Sequence, residues 1–388
     1  MPIRNRFAEL LPEIAEWRQH LHRNPEILYE VHETAAFVAE KLRAFGVDEV
    51  VEGIGRTGVV GLIRGRGQGA RTIGLRADMD ALPIHEETGL PYASGTPGAM
   101  HACGHDGHTA MLLGAAKYLA ETRNFDGTVA LIFQPAEEGG AGAEAMLRDG
   151  LMERFGIDEV YGLHNAPGVP LGAIVTRAGP VQASSDEFEI VVTGKGGHAA
   201  EPHTTVDTTL VASQIVVTLH SIVSRNVNPL RSVVLTVGTF QTDSGASNII
   251  PETARMRGTV RCLHPEDRAL MQGRILRVVE DTASAFGAKA VLRWDPGYPV
   301  TVNHEDATAH AVEAARAVTN HVEDQADPIT PSEDFSYMLN ERPGAYLFLG
   351  NGDSAMCHHP KYDFNDEAIP YGCSFFAEIV ERRLPAAQ

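Results

Sequence analysis

The stretch MHACGHDGHTAMLLGAAKYLAET, residues 100–122, decides how this chain is read. Its later part, residues 109–122, is apolar with helical periodicity. Its earlier part crowds Cys103, His101, His105 and His108 into the mouth of that helix. Short apolar runs at 72–80 and 128–134 flank the stretch and read as strands. Strand alternating with helix defines an α/β architecture, a mostly parallel sheet covered on both faces. Sites in such sheets gather at the carboxyl ends of the strands. Thiolate and neutral imidazole are favoured ligands of zinc and its borderline-soft neighbours. The glycine in Cys103-Gly104-His105 lets both side chains turn toward one point, and the helix dipole there favours thiolate over thiol. The plain alternative is a buried cysteine beside solvated histidines.

Working outward, helical spacing predicts helices over 6–22, 31–45 and 143–154, and short apolar runs predict strands over 57–64 and 159–164. Three strand ends carry acids or ligand types: Asp78-Met79-Asp80, Gln134-Pro135-Ala136-Glu137-Glu138 and Leu163-His164-Asn165. Singly, these are ordinary loop acids and a turn histidine. Jointly they point to a metal site. From Ser185 the pattern becomes β-α-β-β-α-β, over 186–193, 208–223, 232–240, 254–262, 265–286 and 290–294, the order of a ferredoxin-like unit. The expected organisation is a discontinuous domain, 1–181 and 297–388, interrupted by an inserted α+β domain, 182–296. Helices over 308–318, 332–340 and 367–383 and a strand over 345–350 complete the first domain. The following loop, Cys357-His358-His359-Pro360, offers a late histidine to a site begun far upstream.

The 388 residues imply roughly two to three domains. The formal net charge of −19 argues against nucleic acid or an anionic membrane as partner. Four cysteines in so long a chain make no disulfide framework and point to a reducing compartment. The amphipathic N-terminus carries acids early and lacks the apolar core and cleavage site of a signal peptide. No run approaches the roughly 18 apolar residues of a membrane span. The expectation is a cytoplasmic, soluble protein.

If Cys103, His105, Glu138, His164 and His358 are ligands, they exceed what one closed tetrahedral site needs, and a second metal with a bridging residue fits the count. Glu137, adjacent to a ligand but free to diverge from it, is then a natural general base. No G-x-S-x-G elbow occurs, and Cys103 as nucleophile would need a free thiolate. Five ligands suffice without His101 and His108. His20 and His22 read as surface residues of an amphipathic helix, and Asp106 as an acid that orients a ligand histidine. Residues 194–197 lack the spacing of a phosphate loop.

The motifs RADMDALPI, MHACGHDGHTAMLLGAA, IFQPAEEGGAGAEAML, GLHNAP, GKGGHAAEPH, SNIIPETARMRGTVR, EDFSYML and HHPKYDFND resemble the hippurate hydrolase and N-acyl-amino-acid amidohydrolase family. That family is a branch of the aminoacylase and carboxypeptidase-like metallopeptidases, and the resemblance runs almost end to end. It implies a di-metal catalytic domain with an inserted lid that dimerises, giving a homodimer or dimer-based tetramer. It implies hydrolysis of the amide between an acyl or aroyl group and an amino acid, with hippurate-like substrates. It implies two divalent ions, zinc, manganese, cobalt or nickel, on Cys103, His105, Glu138, His164 and His358. It makes Glu137 the base, His198 the oxyanion donor, and Asn248 and Arg261 substrate contacts. Two departures stand out. His359 replaces a small polar residue, and Arg76-Ala77-Asp78 stands where the wider superfamily has H-x-D, with Cys103 as the implied bridge in place of an aspartate. A thiolate bridge favours softer ions and invites oxidation. The competing readings are a dipeptidase or carboxypeptidase of the same superfamily, and a binding protein without chemistry, which would have no use for Glu137 and His198.

Overall fold

Strands Thr72–Asp78 and Thr128–Gln134 run parallel, with Leu75 opposite Leu131. They lie in an eight-stranded sheet of order Glu49–Ile54, Gly58–Arg64, Thr128–Gln134, Thr72–Asp78, Glu159–Pro167, Gly344–Gly352, Ile174–Val175 and Val322–Glu323. The computed structural model describes residues 5–67 and 69–386; residues 1–4, which open the N-terminal stretch analysed above, lie outside the described residues. The four long strands from Thr128–Gln134 to Gly344–Gly352 are parallel, and the Glu49–Arg64 hairpin pairs antiparallel at one edge. The fold is the expected α/β class. The parallel strands are near-continuous apolar runs, as a sheet covered on both faces requires.

Alternate strand residues feed two apolar clusters. Ile73, Leu75, Leu131 and Phe133 pack with Ile14, Trp17, Leu113, Phe375 and Phe376. Ala130, Ile132 and Val160 pack with Met146, Phe155, Phe335 and Met338. Each such side chain, fully buried, contributes about 1.5–3 kcal/mol.

Local chemistry moved some expected boundaries. The helix expected from residue 109 spans His105–Thr122, because Gly104 adopts φ 87° at its N-cap and admits His105 into the first turn. The helix expected over 143–154 is two, Gly142–Arg148 and Leu151–Arg154, broken at Gly150 with φ 81°. The edge strand Glu49–Ile54 was not expected, since its acids hide the short apolar run.

The chain divides into two compact units: Met1–Val181, Thr301–Asp327 and Asp334–Gln388; and Gln182–Val300 with Pro328–Glu333. The second unit thus runs past residue 296 and takes in a later segment. Ala183 N–H donates to the carbonyls of Ile329 and Pro331, which ties that segment on. This unit is an antiparallel sheet of order Val233–Thr242, Thr253–Cys262, Asp186–Thr193 and Lys289–Pro296. Helices Thr208–Arg225 and Pro265–Ala285 bury Ile215, Leu219, Met271 and Ile275 against it. The Asp207 carboxylate caps the first helix by accepting from Thr209 and Leu210 N–H. The topology is ferredoxin-like.

Candidate metal centre

Three parallel strands deliver their ends to one place. Thr72–Asp78 runs into Asp80, Thr128–Gln134 into Glu137 and Glu138, and Glu159–Pro167 carries His164. Helix His105–Thr122 brings His105 and the preceding Cys103, and the loop after Gly344–Gly352 brings His358. The donor atoms of Cys103, His105 and His164 lie within 4.8 Å of one another, and so do those of Cys103, Glu138 and His358. All five expected ligands are therefore brought together, and Cys103 belongs to both triads.

The histidines are oriented by their far nitrogens. His105 Nδ1–H donates to the Asp80 carbonyl at 2.8 Å, and His164 Nδ1–H donates to the Asn165 carbonyl at 2.7 Å. Each Nε2 lone pair then faces the cluster, with His164 Nε2 3.4 Å from Cys103 Sγ. His358 Nε2 approaches Glu138 Oε1 at 3.2 Å. His105 Nε2 is buried yet has no hydrogen-bond partner. A buried polar atom without a partner is costly, and a cation beside it would satisfy it. Backbone outliers sit here too: Ala136, before the two glutamates, and His358 itself have φ of 53° and 65°.

Electrostatics points the same way. Burial would lower the pKa of His105, yet Asp78 and Asp80 raise it to about 10. The site is rich enough in negative charge to hold a proton where a metal would bind. The Cys103 thiol is pushed well up by its hydrogen bond to Cys357 and by burial near Glu138 and Glu137, overriding the helix dipole. A bound cation reverses that preference. Soft thiolate, imidazole and carboxylate in this arrangement fit one or two divalent ions of the zinc class.

Two residues assigned no role in the sequence hold the arrangement. The Asp80 carboxylate accepts the N–H groups of both Glu137 and Glu138, at 2.9 and 3.1 Å. Asn165 donates through Nδ2 to the Cys103 carbonyl, donates through N–H to His108 Nε2, and accepts from the Tyr362 hydroxyl. A Cβ on Gly104 would meet Asn165 Nδ2 at 2.3 Å, so the turn between Cys103 and His105 admits only glycine. Each lies within two residues of an expected ligand or strand end, which was the available signal. Glu137 is buried, and its Oε1 accepts from Asp334 N–H at 3.4 Å.

Other expectations separate. His108 donates through Nδ1–H to Asp78 at 2.6 Å and accepts at Nε2 from Asn165, so neither nitrogen is open to metal. Asp78 is itself neutralised by Arg76, 2.7 Å away. His101 is buried, and neither ring nitrogen has a hydrogen-bond partner. His359 is exposed and accepts from Lys361 N–H in its own turn. Two expectations are corrected. His22 is not a surface residue: it is fully buried, and Asp106 takes its Nδ1–H at 2.8 Å. Asp106 therefore orients His22 rather than a ligand histidine, because it points to the helix Asn5–Arg23. His20 is exposed and stacks on Phe37.

In the second unit His198 lies on the two-residue strand Gly197–His198, paired with Ile249. It is exposed, and Ala199 N–H donates to the carbonyl of Asn248, also exposed. His198 Nδ1 accepts from Ala200 N–H at 3.1 Å, which leaves Nε2–H as an outward donor. Arg261 stands at the other end of the strand Thr253–Cys262 and donates to Thr259 Oγ1 and the Val260 carbonyl.

A cation cradle at the carboxyl edge of a parallel sheet, in a chain interrupted by a ferredoxin-like unit, defines a metal-dependent hydrolase acting on amide bonds. The chain belongs to Peptidase family M20/M25/M40, whose sequence profile its residues 74–382 match. It is 44% identical to the N-acetyl-L-cysteine deacetylase of Bacillus subtilis, over 95% of this chain and 87% of that protein. It is 42% identical to the hippurate hydrolase of Campylobacter jejuni, over 97% and 98%. A solved structure of a dinuclear metal-binding M20 peptidase from B. subtilis superposes with a TM-score of 0.86 at 34% identity, covering 98% of this chain and 100% of that one. No helix among the described residues is long and apolar enough to cross a membrane.

Proposed function

We propose that the chain hydrolyses the amide bond of N-acyl or N-aroyl amino acids, hippurate-like compounds included, to a carboxylic acid and a free amino acid. The observation that carries this reading is the sharing of Cys103 between two donor triads, with Glu137 beside them. Cys103, His105, Glu138, His164 and His358 would hold two divalent ions, which would supply Lewis-acid polarisation of the carbonyl and acidification of the attacking water. Glu137 takes the proton from that water and returns it to the leaving amine nitrogen as the C–N bond breaks. Its backbone, pinned by Asp80, fixes where the carboxylate stands. His198 donates Nε2–H to the developing oxyanion, and the Ala200 N–H bond supports that tautomer. Asn248, adjacent to His198 through Ala199, contacts substrate. Arg261 binds the substrate carboxylate after giving up its two bonds to its own strand. The exposed apolar side chains of the second unit, among them Leu210, Val217 and Leu276, support self-association through it as a homodimer or dimer-based tetramer.

The test is a panel of hippurate, N-acetyl amino acids and dipeptides, assayed on chelated protein reloaded with zinc, manganese, cobalt or nickel. Acylated amino acids should be cleaved and free-amine dipeptides should not. Chelated protein should be inactive, and His198→Ala should lower kcat by about a hundredfold with metal content unchanged. Preference for dipeptides, or full activity without metal, would sink the proposal.

A further inference from the structure

Cys357 has no part in the mechanism above, yet it sits against the cysteine on which that mechanism depends. His358 N–H donates to the Ala102 carbonyl at 2.7 Å, a cross-chain bond that sets the backbone of Cys357 beside that of Cys103. Cys357 Sγ lies 3.9 Å from the Cys103 carbonyl oxygen and 3.9 Å from Asn165 Oδ1, the side chain whose Nδ2 donates to that same carbonyl. Both cysteines are free. The pair is positioned differently from Cys262 and Cys373, which are buried apart from any other cysteine among apolar side chains. Cys357 is half-buried, and its neighbour His358 has a side chain 55% exposed, so a small oxidant can reach this loop from solvent.

We propose that Cys103 and Cys357 form a site of reversible oxidation by hydroperoxides. The Cys357 sulfur attacks the peroxide oxygen and is oxidised to a sulfenic acid as the O–O bond breaks, its thiol proton leaving with the other oxygen as water or an alcohol. The Cys103 sulfur then attacks the Cys357 sulfur, the S–OH bond breaks, and the hydroxyl leaves as water with the Cys103 proton. Two thiols and one hydroperoxide give one disulfide, one water and the reduced peroxide fragment. The product removes the thiolate common to both donor triads and holds His358 by its neighbour. The disulfide also shields Cys103 from sulfinic acid, which thiols do not reverse. The expected loss of metal on oxidation rests on the proposed ligand role of Cys103; the disulfide itself does not.

The experiment treats full-length, metal-loaded protein with graded hydrogen peroxide, then reads disulfide-linked peptides by mass spectrometry and bound metal by elemental analysis. A peptide pair linking Cys103 to Cys357, two hydrogens lighter than its parts, with parallel metal release, is the expected result. Dithiothreitol and metal should then restore activity about tenfold or more in the wild type, but no more than about twofold in Cys357→Ser, whose Cys103 overoxidises. The linked pair without metal release would uphold the oxidation site and remove Cys103 from the ligands. Cys103 oxidised to sulfinic acid in the wild type, with no linked peptide, would overturn the proposal whether or not the variant folds.

Discussion

Two buried charged clusters lie one residue apart in sequence and are balanced in opposite ways. His105 points into the candidate metal centre, whereas Asp106 points away from it. Around Asp106 the protein brings its own cations: the Arg18 guanidinium lies at 3.6 Å and His22 at 2.8 Å, with Glu86 on the far side of His22. Burial would lower the pKa of His22, but hydrogen bonds to Asp106 and Glu86 raise it to about 9. Around His105 the acids Asp80, Glu137 and Glu138 gather with a thiol and imidazoles, and the buried His105 Nε2 has no hydrogen-bond partner. The first cluster carries its compensating cations within the chain, although Arg18 Nη2, His22 Nε2 and Asp106 Oδ1 also lack hydrogen-bond partners. The second gathers donors that fit a bound cation. A buried acid thus marks a functional site when the compensating charge is missing from the chain, not merely when the acid is buried.

The strongest way to break this contrast is to separate the two adjacent glutamates. On the proposed reading Glu137→Gln keeps metal but loses roughly three or more orders of magnitude in kcat, since base and proton carrier vanish together. Glu138→Gln should instead lower bound metal. Elemental analysis and kinetics showing the reverse pattern would exchange the two roles.

A smaller effect is expected on the other side. Asp106→Asn removes the acid that Arg18 and His22 share in the interior, leaving Asp366 and Asp363 to Arg18 and Glu86 to His22, and should cost on the order of 3 kcal/mol in urea unfolding. Metal per folded molecule should stay near the wild-type value. Unchanged stability with lost metal would erase the distinction between the clusters.

The mildest test is pH. The folded pKa of His22, about 9, exceeds its unfolded value of 6.5. Its contribution is therefore complete below the unfolded pKa and lost as pH rises through the folded one. That contribution is on the order of 3 kcal/mol. Urea unfolding of metal-free protein between pH 6 and pH 10 should show wild type losing its advantage over His22→Gln across that window. A constant difference would mean that His22 is not charged in the fold.

Much of this was legible because period and position carry the information. The apolar runs at 72–78 and 128–134 have one structural solution, and His105, His164, Glu137 and Glu138 announce themselves at the ends of elements. His22 was misread because its polarity was given more weight than its place. Leu10, Ile14, Arg18 and His22 recur every four residues and are all buried, so the row of the helix was the better guide. Asp80 and Asn165 escaped assignment because they act through backbone N–H and carbonyl groups, which have no letter in a sequence. The nearness of Cys357 to Cys103 depends on a fold that closes a sequence separation of 254, which no local spacing encodes.

That last distance has a consequence in time. Strand Gly344–Gly352 enters the sheet beside Glu159–Pro167, but a ribosome makes it much later. At about 5–20 residues per second the interval is roughly 10–40 s. Until then the nascent chain carries four of the five proposed metal donors and an unpaired edge on a central apolar strand, the kind of edge that recruits other chains. His358 is made only after the strand that covers this edge. On the proposed ligand set, the order of synthesis thus makes the last donor a signal that the sheet's strands are all made, and a cation needing all five is first held firmly by a chain that can bury its sticky strand.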